Sequence, residues 1–295
     1  MLQIGLRAHD YGTNVSPEKL ADILAPYKPD CIQLALAKAL SHIPGPGGLS
    51  PGYARSIRNI FEERGIAIAV LGCYINPVHP DPAIREKQLR RFEEHLRFAR
   101  DFGCSLVGTE TGSCSGDCSF HPDTEKPETL DLLCRSLERL INTAEKCGSI
   151  AAIEAVADQH TVSSIEKMRI VLRRLASPCL KVIYDPVNLI PHAGLCESGL
   201  YESGLYESQK DFFAEAFAAF GDEIAAVHAK DFRMDAGGKT GTLPAGTGEL
   251  DYPALLSLIA ERKPGIDILL ENSSPDTGKQ AIAFLRSLNP SYAGA

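Results

Sequence analysis

The segment Ile150-Ala-Ala-Ile-Glu154 is a short apolar run that ends in a carboxylate, and a longer stretch of helical period separates it from a second such run, Lys181-Val-Ile-Tyr-Asp185. Short apolar runs of this kind are typical of strands that are buried on both faces of a parallel sheet. The same alternation of strand and helix continues in both directions along the chain. The strand candidates lie at residues 2–6, 31–36, 66–71, 105–108, 150–154, 181–184, 224–228 and 266–270.

Helix starts are marked by capping residues, several of which precede a proline at the first helical position. These residues are Ser16, Ser50, Asp81, Thr161, Asp251 and Ser274. Eight strand and helix pairs average about 37 residues each, which is close to a barrel of roughly 250 residues with loop insertions. We therefore predict a single (β/α)8 TIM barrel, formed by one domain over residues 1–295. A doubly wound open sheet is the alternative, but Arg7-Ala-His-Asp-Tyr-Gly12 is not the glycine-rich phosphate turn that it needs.

Charge and hydropathy exclude several classes of partner. The chain has 30 basic and 38 acidic residues, so its net charge of −8 repels nucleic acid and anionic membrane surfaces. The first charge follows six residues from the start, and no apolar window is long enough to span a membrane. Nine cysteines, most of them in or beside apolar runs, favour reduced thiols. We expect a cytoplasmic protein that binds neither nucleic acid nor membranes.

Residues 197–208 contain a five-residue repeat, Glu-Ser-Gly-Leu-Tyr, which fits neither a helix nor a strand period. One interpretation is a loop that faces solvent. The other is a lid, because the segment follows the sixth predicted strand, on the side where barrel loops build active sites. The sequence leaves both open.

Four consecutive predicted strands end in side chains that can ligate a metal. These side chains are Glu154, Asp185, His228 and Glu271. Carboxylates at the ends of buried strands are costly unless they are paired or coordinate a cation. Three carboxylates and one imidazole suit Mn²⁺, Mg²⁺ or Co²⁺, with Zn²⁺ as a further candidate. The sequence therefore predicts one divalent metal ion, with manganese as the first choice.

Two motifs carry a resemblance to a known family. Strand seven reads His228-Ala-Lys230-Asp231, and the following loop reads Gly246-Thr-Gly248-Glu-Leu-Asp251-Tyr252. With the four strand ends, they resemble the xylose isomerase-like TIM-barrel superfamily of sugar phosphate isomerases and epimerases. The resemblance covers nearly the whole chain. It implies that the four side chains hold one metal and that Glu154 and Glu271 act as the acid/base pair.

The resemblance further implies that the substrate is a sugar or sugar phosphate, that the reaction passes through an enediolate, and that the chain forms a homo-oligomer. The polar residues that we expect to contact this substrate are His9, Asn76, Glu110, His160, Asn188, Lys230 and Arg233. The chain departs from the family at two positions. Asn188 replaces the histidine that epimerases place on strand six, and Gln33 stands where a carboxylate is common.

Other activities share this constellation. A lyase or dehydratase that acts on an inosose or a keto-glycoside would use the same metal and the same proton abstraction. A non-catalytic carbohydrate-binding protein is the alternative from another class, and the complete ligand set argues against it. An endonuclease IV type of phosphodiesterase would need more histidines for three zinc ions, and the negative net charge also disfavours it.

Overall fold

The computed structural model describes residues 2–195 and 208–288. Its strands are β1 (Gln3–Arg7), β2 (Cys31–Leu34), β3 (Ala67–Gly72), β4 (Leu106–Glu110), β5 (Ile150–Glu154), β6 (Leu180–Tyr184), β7 (Ile224–Ala229), β8 (Asp231–Asp235), β9 (Gly238–Leu243) and β10 (Asp267–Leu270). Its helices are α1 (Pro17–Leu24), α2 (Leu36–Ala39), α3 (Pro51–Glu62), α4 (Pro82–Phe98), α5 (Pro127–Cys147), α6 (Ile165–Leu175), α7 (Pro186–Leu189), α8 (Gln209–Phe220), α9 (Tyr252–Arg262) and α10 (Gly278–Leu288).

Eight of the strands close into a parallel barrel in the order β1-β10-β7-β6-β5-β4-β3-β2. This arrangement confirms the (β/α)8 barrel, and each predicted strand lies within two residues of its predicted position. The apolar side chains of the barrel strands are buried against the surrounding helices. No helix in the described part of the chain has the length and apolar composition needed to cross a membrane. The repeat lies outside the described residues except for its last one, Ser208, which caps α8.

The hairpin β8–β9 was not predicted from the sequence. It is a separate antiparallel pair inserted between β7 and α9, and its turn passes through Gly238, whose φ is +100°. The hairpin is only partly buried, so its sequence lacks the apolar run that identifies a barrel strand.

Four of the six predicted helix starts are correct, because Ser16, Ser50, Asp81 and Asp251 are N-caps whose side chains accept backbone hydrogen bonds. Two are wrong. Thr161 instead donates its hydroxyl to the Gly112 carbonyl, and Ser164 caps α6. The turn at Ser274 precedes the last helix, which begins at Gly278.

A carboxylate holds the loop between the hairpin and α9 in place. Asp231 Oδ1 accepts hydrogen bonds from the backbone N–H groups of Phe232 and Leu250, both at 2.9 Å. Its Oδ2 accepts another from the N–H of Gly246 at 3.0 Å. Asp231 is 1% exposed, and these three bonds satisfy its buried charge. The aspartate of the strand-seven motif therefore has a structural role, which is to hold this loop.

We expect Gly248→Ala to destabilise the protein, because its Cβ would lie 2.2 Å from the Phe232 carbonyl oxygen and 2.5 Å from Asp231 Oδ1. The free energy of unfolding, measured by urea titration, should fall by about 1–3 kcal/mol. Gly52→Ala in α3 is the matched control, since its Cβ would meet nothing closer than Ser50 Oγ at 3.9 Å. An equal fall in the free energy of unfolding of the two variants would contradict the predicted clash.

Candidate metal centre

The four predicted metal ligands meet at one mouth of the barrel. Glu154 is the last residue of β5, Asp185 follows β6, His228 lies in β7 and Glu271 follows β10. All four are buried, and one ligand atom from each lies within 4.8 Å of the others. Among residues 2–195 and 208–288 this is the only cluster of its kind. The carboxyl ends of parallel strands all open on this mouth, which is why side chains far apart in sequence converge here.

The His228 ring is held from both sides. Its Nδ1 lies 3.2 Å from Glu154 Oε1 and 3.0 Å from Glu271 Oε2, while its Nε2 lies 2.6 Å from Gln33 Oε1. The amide oxygen of Gln33 can only accept, so Nε2 carries a hydrogen and Nδ1 is the nitrogen presented to the carboxylates. Burial lowers the pKa of His228, but Glu154 and Glu271 outweigh it and raise that pKa to about 10.

Lys230 compensates the carboxylates from within the cluster. Its Nζ lies 2.9 Å from Asp185 Oδ2 and 3.5 Å from Glu271 Oε1, and it donates a hydrogen bond to Asn188 Oδ1 at 2.6 Å. The Tyr252 hydroxyl donates to the backbone oxygen of Lys230 at 2.8 Å. Lys230 is therefore a buried cation whose backbone is anchored by the second sequence motif.

Arg7 is a second cation at the centre, with 15% of its side chain exposed, and the sequence did not single it out. Its guanidinium donates to Glu271 Oε1, to Asp10 Oδ1 at 2.9 Å and to Asn272 Oδ1 at 3.1 Å. Although burial opposes its charge, Glu271 and Asp10 raise the pKa of Arg7, so it stays protonated. Its position in the sequence could have identified it, because Arg7 directly follows the first apolar run and so lies at the end of a barrel strand.

The two glutamates have different electrostatic surroundings. Burial raises the pKa of Glu154, which also accepts a hydrogen bond from Asn188 Nδ2 at 2.7 Å. Burial would raise the pKa of Glu271 too, but Lys230, His228 and Arg7 together hold it well below its usual range. Glu271 is thus the more readily ionised carboxylate and Glu154 the more readily protonated one.

The residues present fit a divalent cation. Asp185 Oδ2 and Glu271 Oε2 are buried, and their partners are the charged groups of the cluster itself, Lys230 Nζ at 2.9 Å and His228 Nδ1 at 3.0 Å. Carboxylate oxygens are the ligands that Mg²⁺ and Mn²⁺ prefer, and the single imidazole also suits Co²⁺ and Zn²⁺.

Three of the predicted substrate-binding residues have polar side chains with few hydrogen-bond partners among the described residues. His9 lies after β1, and burial, with Arg7 and Lys38, lowers its pKa to about 3, so its ring is neutral. Glu110 ends β4, and one of its oxygens lies 3.9 Å from His160 Nε2. Burial lowers the pKa of His160. Neither His9 Nδ1 nor His160 Nδ1 has a hydrogen-bond partner in the described residues.

The side chains of Asn76 and Arg233 are engaged with backbone groups. Asn76 Nδ2 donates to the carbonyls of Ser113 and Ser115 at 2.8 and 2.9 Å, and Arg233 is exposed and donates to the Thr247 carbonyl. Neither side chain forms a hydrogen bond or an ion pair with the four clustered ligands. Asn188 does, because it bridges Glu154 and Lys230. The contacts of all these residues with substrate stay predictions.

A family model described as xylose isomerase-like TIM barrel matches residues 22–288. No curated protein matches the chain. A xylose isomerase-like TIM barrel protein from Mycobacterium smegmatis, solved in complex with magnesium, superposes with a TM-score of 0.73 at 16% identity, covering 99% of this chain and 98% of that one.

Two solved epimerases are similar in structure. The 3-keto-D-glucoside 4-epimerase from E. coli has a TM-score of 0.69 at 15% identity, covering 97% of this chain and 100% of its own. The D-psicose 3-epimerase from Clostridium cellulolyticum H10, solved with D-tagatose, has a TM-score of 0.70 at 12% identity, covering 97% and 99%. At these identities the similarity shows the fold.

We expect metal binding to release protons. The pKa of His228 is about 10 in the metal-free protein, so near neutral pH a cation must displace the hydrogen on Nδ1. Calorimetric titration with Mn²⁺ in buffers of different ionisation enthalpy should show release of about one proton, and affinity should fall about tenfold per unit as pH is lowered. A heat of binding that is independent of the buffer would contradict this.

Proposed function

Since the chain belongs to the xylose isomerase-like TIM barrel family, we propose that it is a divalent-metal-dependent isomerase or epimerase of a sugar or sugar phosphate. The observation that carries the proposal is the buried cluster of Glu154, Asp185, His228 and Glu271 at the barrel mouth. It is supported by solved epimerases of the same fold.

These four residues would hold the ion, with Mn²⁺ as the first choice and Mg²⁺, Co²⁺ or Zn²⁺ as alternatives. When bound, the ion supplies positive charge for the oxygens of an enediolate, which forms when a proton leaves the carbon next to a carbonyl. His228 is oriented for this role by Gln33, and Asp185 is held by Lys230.

Glu271 and Glu154 would move the proton. Glu271 is kept ionised by Lys230, His228 and Arg7, so it is the residue that we assign to proton removal. The raised pKa of Glu154 favours proton return. Return of the proton to the opposite face of the same carbon gives epimerisation, whereas return to the neighbouring carbon gives isomerisation.

The remaining polar residues would contact substrate hydroxyls. Glu110 and His160 offer an acceptor and a neutral ring on one side of the mouth, and His9 offers an unpaired ring nitrogen on another. Asn188 occupies the place of a family histidine, but its amide is shared between Glu154 and Lys230. We assign it to holding these two side chains as well as to substrate contact.

We expect proton exchange to require both glutamates. With Mn²⁺ in D₂O, the wild-type protein should incorporate deuterium into one of a panel of ketoses, keto-glucosides, inososes and their phosphates. Glu271→Gln and Glu154→Gln should each lower the rate by about 10²–10⁴-fold, the range of general acid–base catalysis. Mass spectrometry of the recovered compounds identifies the substrate.

Glu261→Gln, at an exposed position on α9, is the matched control and should exchange at the wild-type rate. Metal content is measured on every variant, so that a lost ion is distinguished from a lost base. Wild-type protein that takes up no metal would refute the proposal. Metal uptake with elimination products in place of exchange would favour the lyase.

A further inference from the structure

Gln33 lies between the metal-ligand histidine and a tyrosine. It is 1% exposed in β2, and its side chain spans the gap between His228 and Tyr74. Its Oε1 lies 2.6 Å from His228 Nε2, and its Nε2 donates a hydrogen bond to Tyr74 Oη at 2.8 Å. Both ends of the amide are therefore used.

The direction of each hydrogen bond follows from the donors and acceptors available. When Nδ1 of His228 binds the cation, Nε2 is the ring nitrogen that carries the hydrogen, and the Gln33 oxygen, 2.6 Å away, accepts it. The NH₂ group of Gln33 must then face Tyr74, whose oxygen accepts. The hydroxyl hydrogen of Tyr74 is consequently directed elsewhere, and no described residue accepts it.

Tyr74 belongs to the wall of the candidate centre. Its ring meets the His9 ring edge-on with centroids 5.9 Å apart, and Lys38 Nζ lies 3.6 Å from its centroid. Burial, reinforced by Glu271, raises the pKa of Tyr74 well above its usual value, so the phenol stays a neutral donor. Tyr74 is only partly buried as a residue, unlike Gln33.

We propose that Gln33 is a positioning residue that fixes the His228 ring for the metal and aims the Tyr74 hydroxyl at an oxygen of the substrate. This inference rests on the proposed function and adds a substrate-binding residue, Tyr74, to it. A glutamate at position 33 would accept from both His228 and Tyr74, and would thereby turn the tyrosine hydrogen away from substrate. The amide, unlike a carboxylate, leaves the hydroxyl hydrogen of Tyr74 directed at the substrate.

The first half of the test measures Mn²⁺ affinity of the metal-free protein by calorimetry. Gln33→Met keeps the length of the side chain but removes the acceptor, and should weaken binding about 10–100-fold. Gln33→Glu keeps the acceptor, so it should bind Mn²⁺ at least as tightly as the wild-type protein. Equal affinities of Gln33→Met and the wild-type protein would overturn the role assigned towards His228.

The second half measures deuterium exchange into the panel compound that the wild-type protein labels, at low substrate concentration and with saturating Mn²⁺. Tyr74→Phe and Gln33→Glu should each lower the rate roughly tenfold, the effect of one hydrogen bond to substrate. The double variant should lose no more than either single variant, because both remove the same bond. Tyr53→Phe, on the outer helix α3, is the matched control and should be unaffected.

The outcomes distinguish failure of the proposed function from failure of the inference about Gln33 and Tyr74. Wild-type protein that binds no Mn²⁺, or that exchanges no compound in the panel of ketoses, keto-glucosides, inososes and their phosphates, overturns the proposed function and the inference with it. A deuterium exchange rate in Gln33→Glu that equals the wild-type rate overturns the inference alone. Additive losses in the double variant would also refute it, because independent effects would then be acting.

Discussion

The structure depends on the burial of three carboxylates at one mouth of the barrel. Glu154, Asp185 and Glu271 are almost inaccessible to solvent, and like charges in a medium of low polarity repel strongly. The buried Lys230, the partly buried Arg7 and the imidazole of His228 oppose this repulsion. Removing one partner would leave buried charge uncompensated, so the cluster constrains every strand end that contributes to it.

The residues of the two sequence motifs either enter this cluster or hold the segment that carries it. His228 and Lys230 are two residues apart in one extended segment, so both side chains lie on the same side and enter the cluster. Asp231, the next residue, faces away and ties down the loop that reaches Gly246. Tyr252 returns from that loop to the Lys230 carbonyl. The motif residues outside the cluster therefore hold the segment that carries its ligands.

The barrel and its four ligands were predictable because each depends on a local pattern. A buried strand requires an apolar run, and a polar residue at its end, such as Glu154 or Asp185, is conspicuous. The β8–β9 hairpin has no such run. The sequence marks Gln33 only as a departure from the family and does not single out Tyr74. Their roles arise from contacts across the barrel, such as the bond that joins Gln33 to His228 over 195 residues of sequence. Nothing local specifies such a contact.

Charge balance gives a further reason for an amide at position 33. Glu154, Asp185, Glu271 and Asp10 form one network with Arg7 and Lys230, in which four carboxylates face two permanent cations. The two remaining negative charges are the number that one divalent ion neutralises. A carboxylate at position 33 would add another buried charge next to His228. The amide orients that ring as a carboxylate would, while it leaves the balance unchanged and keeps a hydrogen-bond donor for Tyr74.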